Sequence, residues 1–294
     1  MNNRKTVFLS YAGLLLVAII WGLAFAVVKS ALDYMPPVYM MAFRFTLAAI
    51  LISLVFIRRF RTMTKEELRH GITIGVFLFF GYLTQTIGCK YTTAGKNAFL
   101  TALYIILIPF LHWIFEKKRP SYRVFLAALI GITGIGFLSL NGDLSVNIGD
   151  VLTLVCGVMY AFQISLIDLW SKNDDPVSLA ILQMITSAVL SIIAAPVMDG
   201  GFPYQAMRTD VILGMLYLGV LSTMVCFLLQ TVCQKYTRPE PASLIMSSEA
   251  VFGVLGSVIF LGEVLSGRMI TGCLLMTAAI VLAQTGGRTG NKES

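Results

Sequence analysis

Charge is scarce in this sequence. Asp, Glu, Lys and Arg together make up 13% of its 294 residues, about half the share a soluble domain carries. A soluble globule of this size would have too little charge to cover its surface. Histidine is rarer still, with two in the chain, and no C-x-x-C pair accompanies them, so a zinc site cannot be completed. The five cysteines, Cys89, Cys156, Cys226, Cys233 and Cys273, all lie in or beside apolar stretches and read as small packing residues. There is no glycine-rich phosphate loop ending in lysine and no G-x-S-x-G. The chain therefore encodes no ATPase engine and nominates no serine nucleophile. No enzyme activity, metal or cofactor is expected.

What fills the sequence is apolar. Hydrophobic residues reach 57% and the mean hydropathy is +0.82. They arrive in blocks of about 20, the length at which a helix crosses roughly 30 Å of hydrocarbon. A backbone without water must bond to itself, which favours helices. A membrane β-barrel would show short alternating strands, whereas Tyr11 to Val28 is almost continuously apolar. The expected fold class is all-α integral membrane with ten transmembrane helices. Their approximate limits are 7–29, 37–57, 71–89, 95–115, 122–140, 149–170, 176–197, 211–232, 241–261 and 268–284. Pro36, Pro37, Pro120, Pro176, Pro239 and Pro241 stand at or just before helix starts, where a missing N–H costs least. Pro109 and Pro196 fall inside blocks and predict kinks. Thr64 to Glu67 has the pattern of a capping box and predicts a short surface helix leading into the third span.

The net charge of +7 does not point to nucleic acid, because the basic residues sit in short connections. Arg58, Arg59, Arg61, Lys65 and Arg69, with Lys117, Lys118 and Arg119, lie on the side that also carries both termini. The other side has only Lys29, Lys90, Lys96, Arg208 and Arg268. The positive-inside bias predicts a multi-pass protein of the cell membrane with cytoplasmic N- and C-termini. Arg4, Lys5 and the run after them resemble a signal peptide, but the run is too long and further spans follow, so an uncleaved first helix is expected.

The halves resemble each other. Cys89-Lys90-Tyr91-Thr92 precedes the fourth block, and Gln234-Lys235-Tyr236-Thr237 precedes the ninth. Two units follow, 7–140 and 149–285. With five helices each, the second enters the membrane upside down. Inverted repeats of this kind place a substrate site near the midplane, where the copies meet around a central cavity.

Polar residues inside the blocks carry the remaining information, since an ionisable group there costs about 2.5–3.5 kcal/mol on insertion scales and faces a partner or a cavity. Glu249 is the deepest acid, flanked by Ser248. It either binds a cationic substrate group or carries a coupling proton, or else bonds across helices as a structural residue. Trp21, Gln85, Asn97, Tyr104, Tyr160, Gln163 and Gln230 are the other candidates for the cavity. Three cations are candidates for gating or pairing. Arg44 snorkels outward, pairs with an acid or attracts anions. Lys29 caps the dipole of its own helix or gates. Lys96, with Asn97 and the start of the fourth helix, can hold an anion such as a carboxylate. His112 reads as interfacial, and Asp168 as exposed near the same face.

Three stretches resemble a known family. Trp21-Gly22-Leu23-Ala24-Phe25-Ala26-Val27-Val28-Lys29 is similar to the first-helix signature of EamA-type members of the drug/metabolite transporter superfamily. Pro36-Pro37-Val38-Tyr39-Met40-Met41-Ala42-Phe43-Arg44-Phe45 resembles the family's second-helix start, and Gly262-Glu263 resembles its Gly-Glu turn. The first half departs from that pattern, reading Glu116-Lys117-Lys118-Arg119-Pro120 at the equivalent turn. The resemblance implies alternating access and secondary transport of small metabolites such as amino acids or drug-like solutes, often as export. The implied partners are a small-molecule substrate and the lipid bilayer, with a coupling proton left open and a monomer or homodimer as the assembly. The competing readings are a membrane enzyme or flippase for a lipid-linked substrate, a non-transporting scaffold, and a phosphorylated-sugar antiporter, which needs several cavity cations.

Overall fold

The computed structural model describes residues 4–117, 119–139, 146–206, 208–237 and 239–286. Every element among them is a helix. The first five spans are α1 (Arg4–Ala31), α2 (Pro37–Val55), α3 (Lys65–Tyr91), α4 (Ala94–Thr101 continued by Leu103–Glu116) and α5 (Tyr122–Ser139). The second five are α6 (Ile148–Trp170), α7 (Pro176–Met198), α8 (Thr209–Tyr236), α9 (Pro239–Leu261) and α10 (Gly267–Gly286). Eight are long and apolar enough to cross a membrane, and the apolar cores of α5 and α10 are shorter. The fold is an all-helical membrane bundle, and the last residue of the predicted fifth block, Leu140, lies outside the described residues.

The packing has a two-fold logic. α1 lies on α9 as α6 lies on α4; α3 lies on α6 as α8 lies on α1; and α3 lies on α7 as α8 lies on α2. α2 with α7, α5 with α10, and α4 with α9 each pair a helix with its own counterpart. Exchanging α1–α5 for α6–α10 therefore returns the same neighbours. With five spans in each unit, the two copies run through the membrane in opposite senses. The matching tetrapeptides are matching helix ends: α3 stops at Tyr91 and α8 at Tyr236, each followed by an extended threonine, Thr92 or Thr237.

Small residues bring the units together. A Cβ on Gly22 would lie 2.7 Å from the Glu249 carbonyl oxygen and 2.9 Å from the Gly253 nitrogen. α1 and α9 thus touch backbone to backbone, an approach only glycine allows.

Three local expectations need correction. The capping box is present, with the Glu67 amide donating to Thr64 Oγ1 and the Thr64 amide to Glu67 Oε2. It starts α3 itself, however, and the only separate surface element before it is a 3₁₀ turn, Ile57–Arg61. The helical run from Lys65 to Tyr91 contains no proline, and its four glycines, Gly71, Gly75, Gly81 and Gly88, do not break it. α4 breaks at Ala102, well before Pro109. Pro196 falls in the last turn of α7, where it removes the amide that would bond the Ile192 carbonyl, and the helix still runs to Met198.

Candidate functional site

Between the two units lies a cavity whose walls carry side chains of both. It is lined from six helices and α4. α1 contributes Trp21, Phe25 and Val28; α2 contributes Arg44; α3 contributes Tyr82 and Gln85. α4 supplies Asn97 and Tyr104, α6 supplies Tyr160 and Gln163, α8 supplies Ser222, Phe227 and Gln230, and α9 supplies Glu249. The structure thus brings together Glu249, Trp21, Gln85, Asn97, Tyr104, Tyr160, Gln163, Gln230 and Arg44. It leaves out Ser248, Lys29 and Lys96.

Each omission has a physical reason. The Ser248 hydroxyl donates to the Ile245 carbonyl at 2.7 Å, within its own helix, the usual recourse of a serine in lipid. Lys29 Nζ donates to the carbonyls of Cys89, Lys90 and Thr92 at 2.8, 3.3 and 2.6 Å. It caps the carboxyl end of α3, not that of its own helix, where a cation meets the negative pole of the dipole. Lys96 pairs with fully buried Asp150 at 3.1 Å, and Asp150 also accepts from the Thr92 hydroxyl. The start of α4 is occupied as well: the amides of Ala94 and Gly95 donate to the two oxygens of Glu263 at 2.7 and 3.1 Å. An external anion is not needed there, because the second unit supplies one. The residue before it, Gly262, has φ +65, a left-handed turn that suits glycine. The same position in the first unit is Lys117, at φ 60.

Arg44 is 2% exposed, so it does not snorkel. Its Nε donates to Thr223 Oγ1 at 2.9 Å, and its Nη2 to Ser222 Oγ at 3.1 Å and the Tyr82 hydroxyl at 3.4 Å. The guanidinium also lies 4.5 Å over the Tyr82 ring. Among the described residues its polar partners are hydroxyls, and no carboxylate forms an ion pair with it. The hydroxyls of Ser222 and Thr223 arrive through a nine-residue π-helical stretch of α8, Tyr217–Val225. Here the Thr223 hydroxyl satisfies the Leu218 carbonyl at 2.7 Å. α1 clasps the stretch at two points: Tyr217 donates to the Ile20 carbonyl and Trp21 Nε1 to the Ser222 carbonyl, both at 2.8 Å. π-bulges of this kind recur at functional positions.

Glu249, from α9, also lines the cavity and is 4% exposed. Near it the Tyr104 hydroxyl approaches without completing a hydrogen bond of ordinary geometry. Asn97 Nδ2 donates to the Gln85 carbonyl at 3.2 Å and to Thr153 Oγ1 at 2.8 Å, which leaves Asn97 Oδ1 buried with no partner. Gln230 Oε1 is likewise unpartnered. By contrast Tyr160 donates to Gln85 Oε1 at 3.0 Å, and Gln163 and Gln183 are joined at 3.0 Å. The lining therefore combines a bonded framework with two unused acceptors, Asn97 Oδ1 and Gln230 Oε1.

Three of the residues that sequence reasoning missed sit one helical turn from those it found, whereas Ser222 had no such neighbour. Phe25 follows Trp21 by four, Tyr82 precedes Gln85 by three, and Phe227 precedes Gln230 by three. That spacing keeps them on one face and could have located them. Asp168 was expected to be exposed but is 4% exposed, because Lys172 at 3.2 Å and His112 at 3.9 Å enclose it.

The model of the EamA-like transporter family matches the chain twice, over residues 8–140 and 147–285. An uncharacterised transporter of Archaeoglobus fulgidus is 35% identical over 270 residues, covering 92% of this chain and 84% of that protein. Proteins named probable amino-acid metabolite efflux pumps are 25% identical in Salmonella typhimurium, over 95% of each chain, and 26% identical in Escherichia coli, over 91% and 92%. A crystal structure superposes with a TM-score of 0.70 at 16% identity, covering 99% and 100% of the two chains; at that identity the likeness is one of fold.

Proposed function

Since the chain belongs to the EamA-like transporter family, we infer that it is a secondary transporter that exports small organic metabolites, such as amino acids or drug-like solutes, by alternating access. The observation that carries this reading is the central cavity. It is polar and aromatic, and both inverted units build its walls. The names of the efflux-pump relatives agree with export. The sided distribution of Lys and Arg supports a cell-membrane location with both termini in the cytoplasm.

Alternating access needs closures on the two faces that form and break in turn. Candidates for both are visible as contacts between the units. On the face away from the termini, Glu263 caps α4, Asp150 holds Lys96, and Asp199 Oδ2 accepts the amides of Val38 and Tyr39 at 2.6 and 3.1 Å, capping α2. On the face of the termini, His70 meets Asp174 at 2.7 Å, Glu67 accepts the Asp175 amide at 2.9 Å, and Arg59 lies 3.6 Å from Asp175. The break at Ala102 and the π-helical stretch of α8 lie between these layers, where backbone can flex without losing a full helix.

A phosphorylated-sugar antiporter ranks lower. Among the described residues Arg44 is the single cation lining the cavity, and Lys29 and Lys96 are engaged with α3 and Asp150. A membrane enzyme ranks lower too, because among the described residues no acid, histidine or cysteine cluster suits a metal and the cavity nominates no activated nucleophile.

The test is solute counterflow in liposomes containing the purified protein. Trans-stimulated uptake of at least one amino acid or small organic solute is expected. A protein that is folded and correctly inserted, yet moves no member of a broad panel with or without a pH gradient, overturns the reading.

A further inference from the structure

The cavity has two unlike poles. At one, Arg44 is buried among hydroxyls that neutralise none of its charge: Thr223, Ser222 and Tyr82. At the other, the Glu249 carboxylate shares the wall with two buried oxygens that accept nothing, Asn97 Oδ1 and Gln230 Oε1. The Asn97 assignment follows from its neighbours, because the atom facing the Gln85 carbonyl has to be a donor. Among the described residues the two side chains form no ion pair with each other. A buried guanidinium with no counter-ion is costly unless a guest supplies one.

We propose that the cavity is a zwitterion site, in which Arg44 takes the carboxylate of the solute and Glu249, with Asn97 Oδ1 and Gln230 Oε1, takes its ammonium. Arg44 suits a carboxylate because its planar fork can offer parallel N–H donors. An ammonium has three donors and no acceptor, which matches a carboxylate flanked by unpaired carbonyl oxygens. The remaining wall sets the third requirement. Trp21 and Phe227 pack with ring centroids 5.1 Å apart, and Phe25 and Val28 line the same side. This wall receives an uncharged, apolar or aromatic substituent, and a second charge on the solute would be buried there without a partner. Arg44 is the specificity-determining residue of the pair, since an organic cation lacking a carboxylate leaves its guanidinium uncompensated.

The inference rests on the transport reading but separates from it in the experiment. The purified protein is tested for thermal stabilisation and for liposome counterflow with three probes: leucine, leucine methyl ester, which lacks the anion, and 4-methylpentanoate, which lacks the ammonium. The same assays are run on Arg44→Met and Glu249→Gln. Leucine is expected to stabilise and exchange in the wild type, with both analogues at least tenfold weaker. Arg44→Met should lose discrimination against the ester, and Glu249→Gln against 4-methylpentanoate, so each variant changes preference rather than only losing activity. Stabilisation by leucine without exchange supports the site and counts against transport. Exchange of the ester as fast as leucine, or of organic cations alone, overturns the site and leaves transport standing. Absence of both stabilisation and exchange with all three probes overturns the site. If a variant fails to fold, Arg44→Gln or Glu249→Ala, which also remove the charge, replaces it, and unchanged preference in these overturns the assignment of poles.

Discussion

Replacing Glu263 tests whether the second unit holds the first at its helix ends. The carboxylate receives the amides of Ala94 and Gly95 at 2.7 and 3.1 Å, at the positive pole of the α4 dipole. A capping side chain contributes about 0.5–2 kcal/mol and a charge at a helix N-terminus about 0.3–1 kcal/mol more. Glu263→Ala removes both and should cost about 2 kcal/mol, which for a chain of this size lowers Tm by roughly 4–8 °C. Glu263→Gln keeps one acceptor oxygen but no charge, so about half that loss is expected. The assay is unfolding of the purified protein in a mild detergent, followed by far-UV dichroism, with hydrogen exchange at Ala94 and Gly95 as the local readout. Exchange at those amides should accelerate more in the alanine variant than in the glutamine variant. If Glu263→Ala unfolds within a degree of the wild type and the two amides stay protected, the cap is not an energetic link and the reasoning fails.

Other positions yield predictions of either sign. Lys96→Met strands Asp150, which is fully buried, and should cost about 3 kcal/mol by chemical denaturation, while Lys96→Met with Asp150→Asn should recover most of it. Lys117 occupies a left-handed turn at φ 60, so Lys117→Gly should raise stability by up to about 1 kcal/mol, seen as a higher Tm. Gly22→Ala would set a Cβ 2.7 Å from the Glu249 carbonyl oxygen and should lower Tm by several degrees, because backbone is the obstacle and cannot rotate away. The same variant should weaken solute binding, since it displaces the wall that carries Glu249.

The spans were legible because a bilayer imposes one requirement, length of apolar sequence, and Tyr11 to Val28 or Val151 to Leu169 meets it without context. The inversion was legible from the odd number of spans and the paired helix ends at Tyr91 and Tyr236. Much of the cavity lining was legible for a related reason: a polar side chain at mid-span depth has few places to go, and Gln85, Asn97, Gln163 and Gln230 line the space between the units. What could not be read was partnership. Lys29, Lys96 and Arg44 look alike in sequence, each a lone cation near one face. Their fates depend on which helix end, acid or hydroxyl lies 60, 54 or 179 residues away. The π-helical stretch had no signal either, since Tyr217–Val225 is ordinary apolar helix by composition. Its form is held by tertiary bonds from Tyr217 to Ile20 and from Trp21 to Ser222.

The caps on α2 and α4 have a consequence for how that face could part. Asp199 and Glu263 between them hold four backbone amides, those of Val38, Tyr39, Ala94 and Gly95, and both acids belong to the other unit. Drawing the units apart strips all four donors together, and nothing in the first unit stands ready to take them. The replacement acceptors have to be water molecules. Such an opening cannot proceed dry and be flooded later: hydration of the two helix ends is part of the step itself. Its rate should therefore respond to osmotic stress on water activity as well as to the solute.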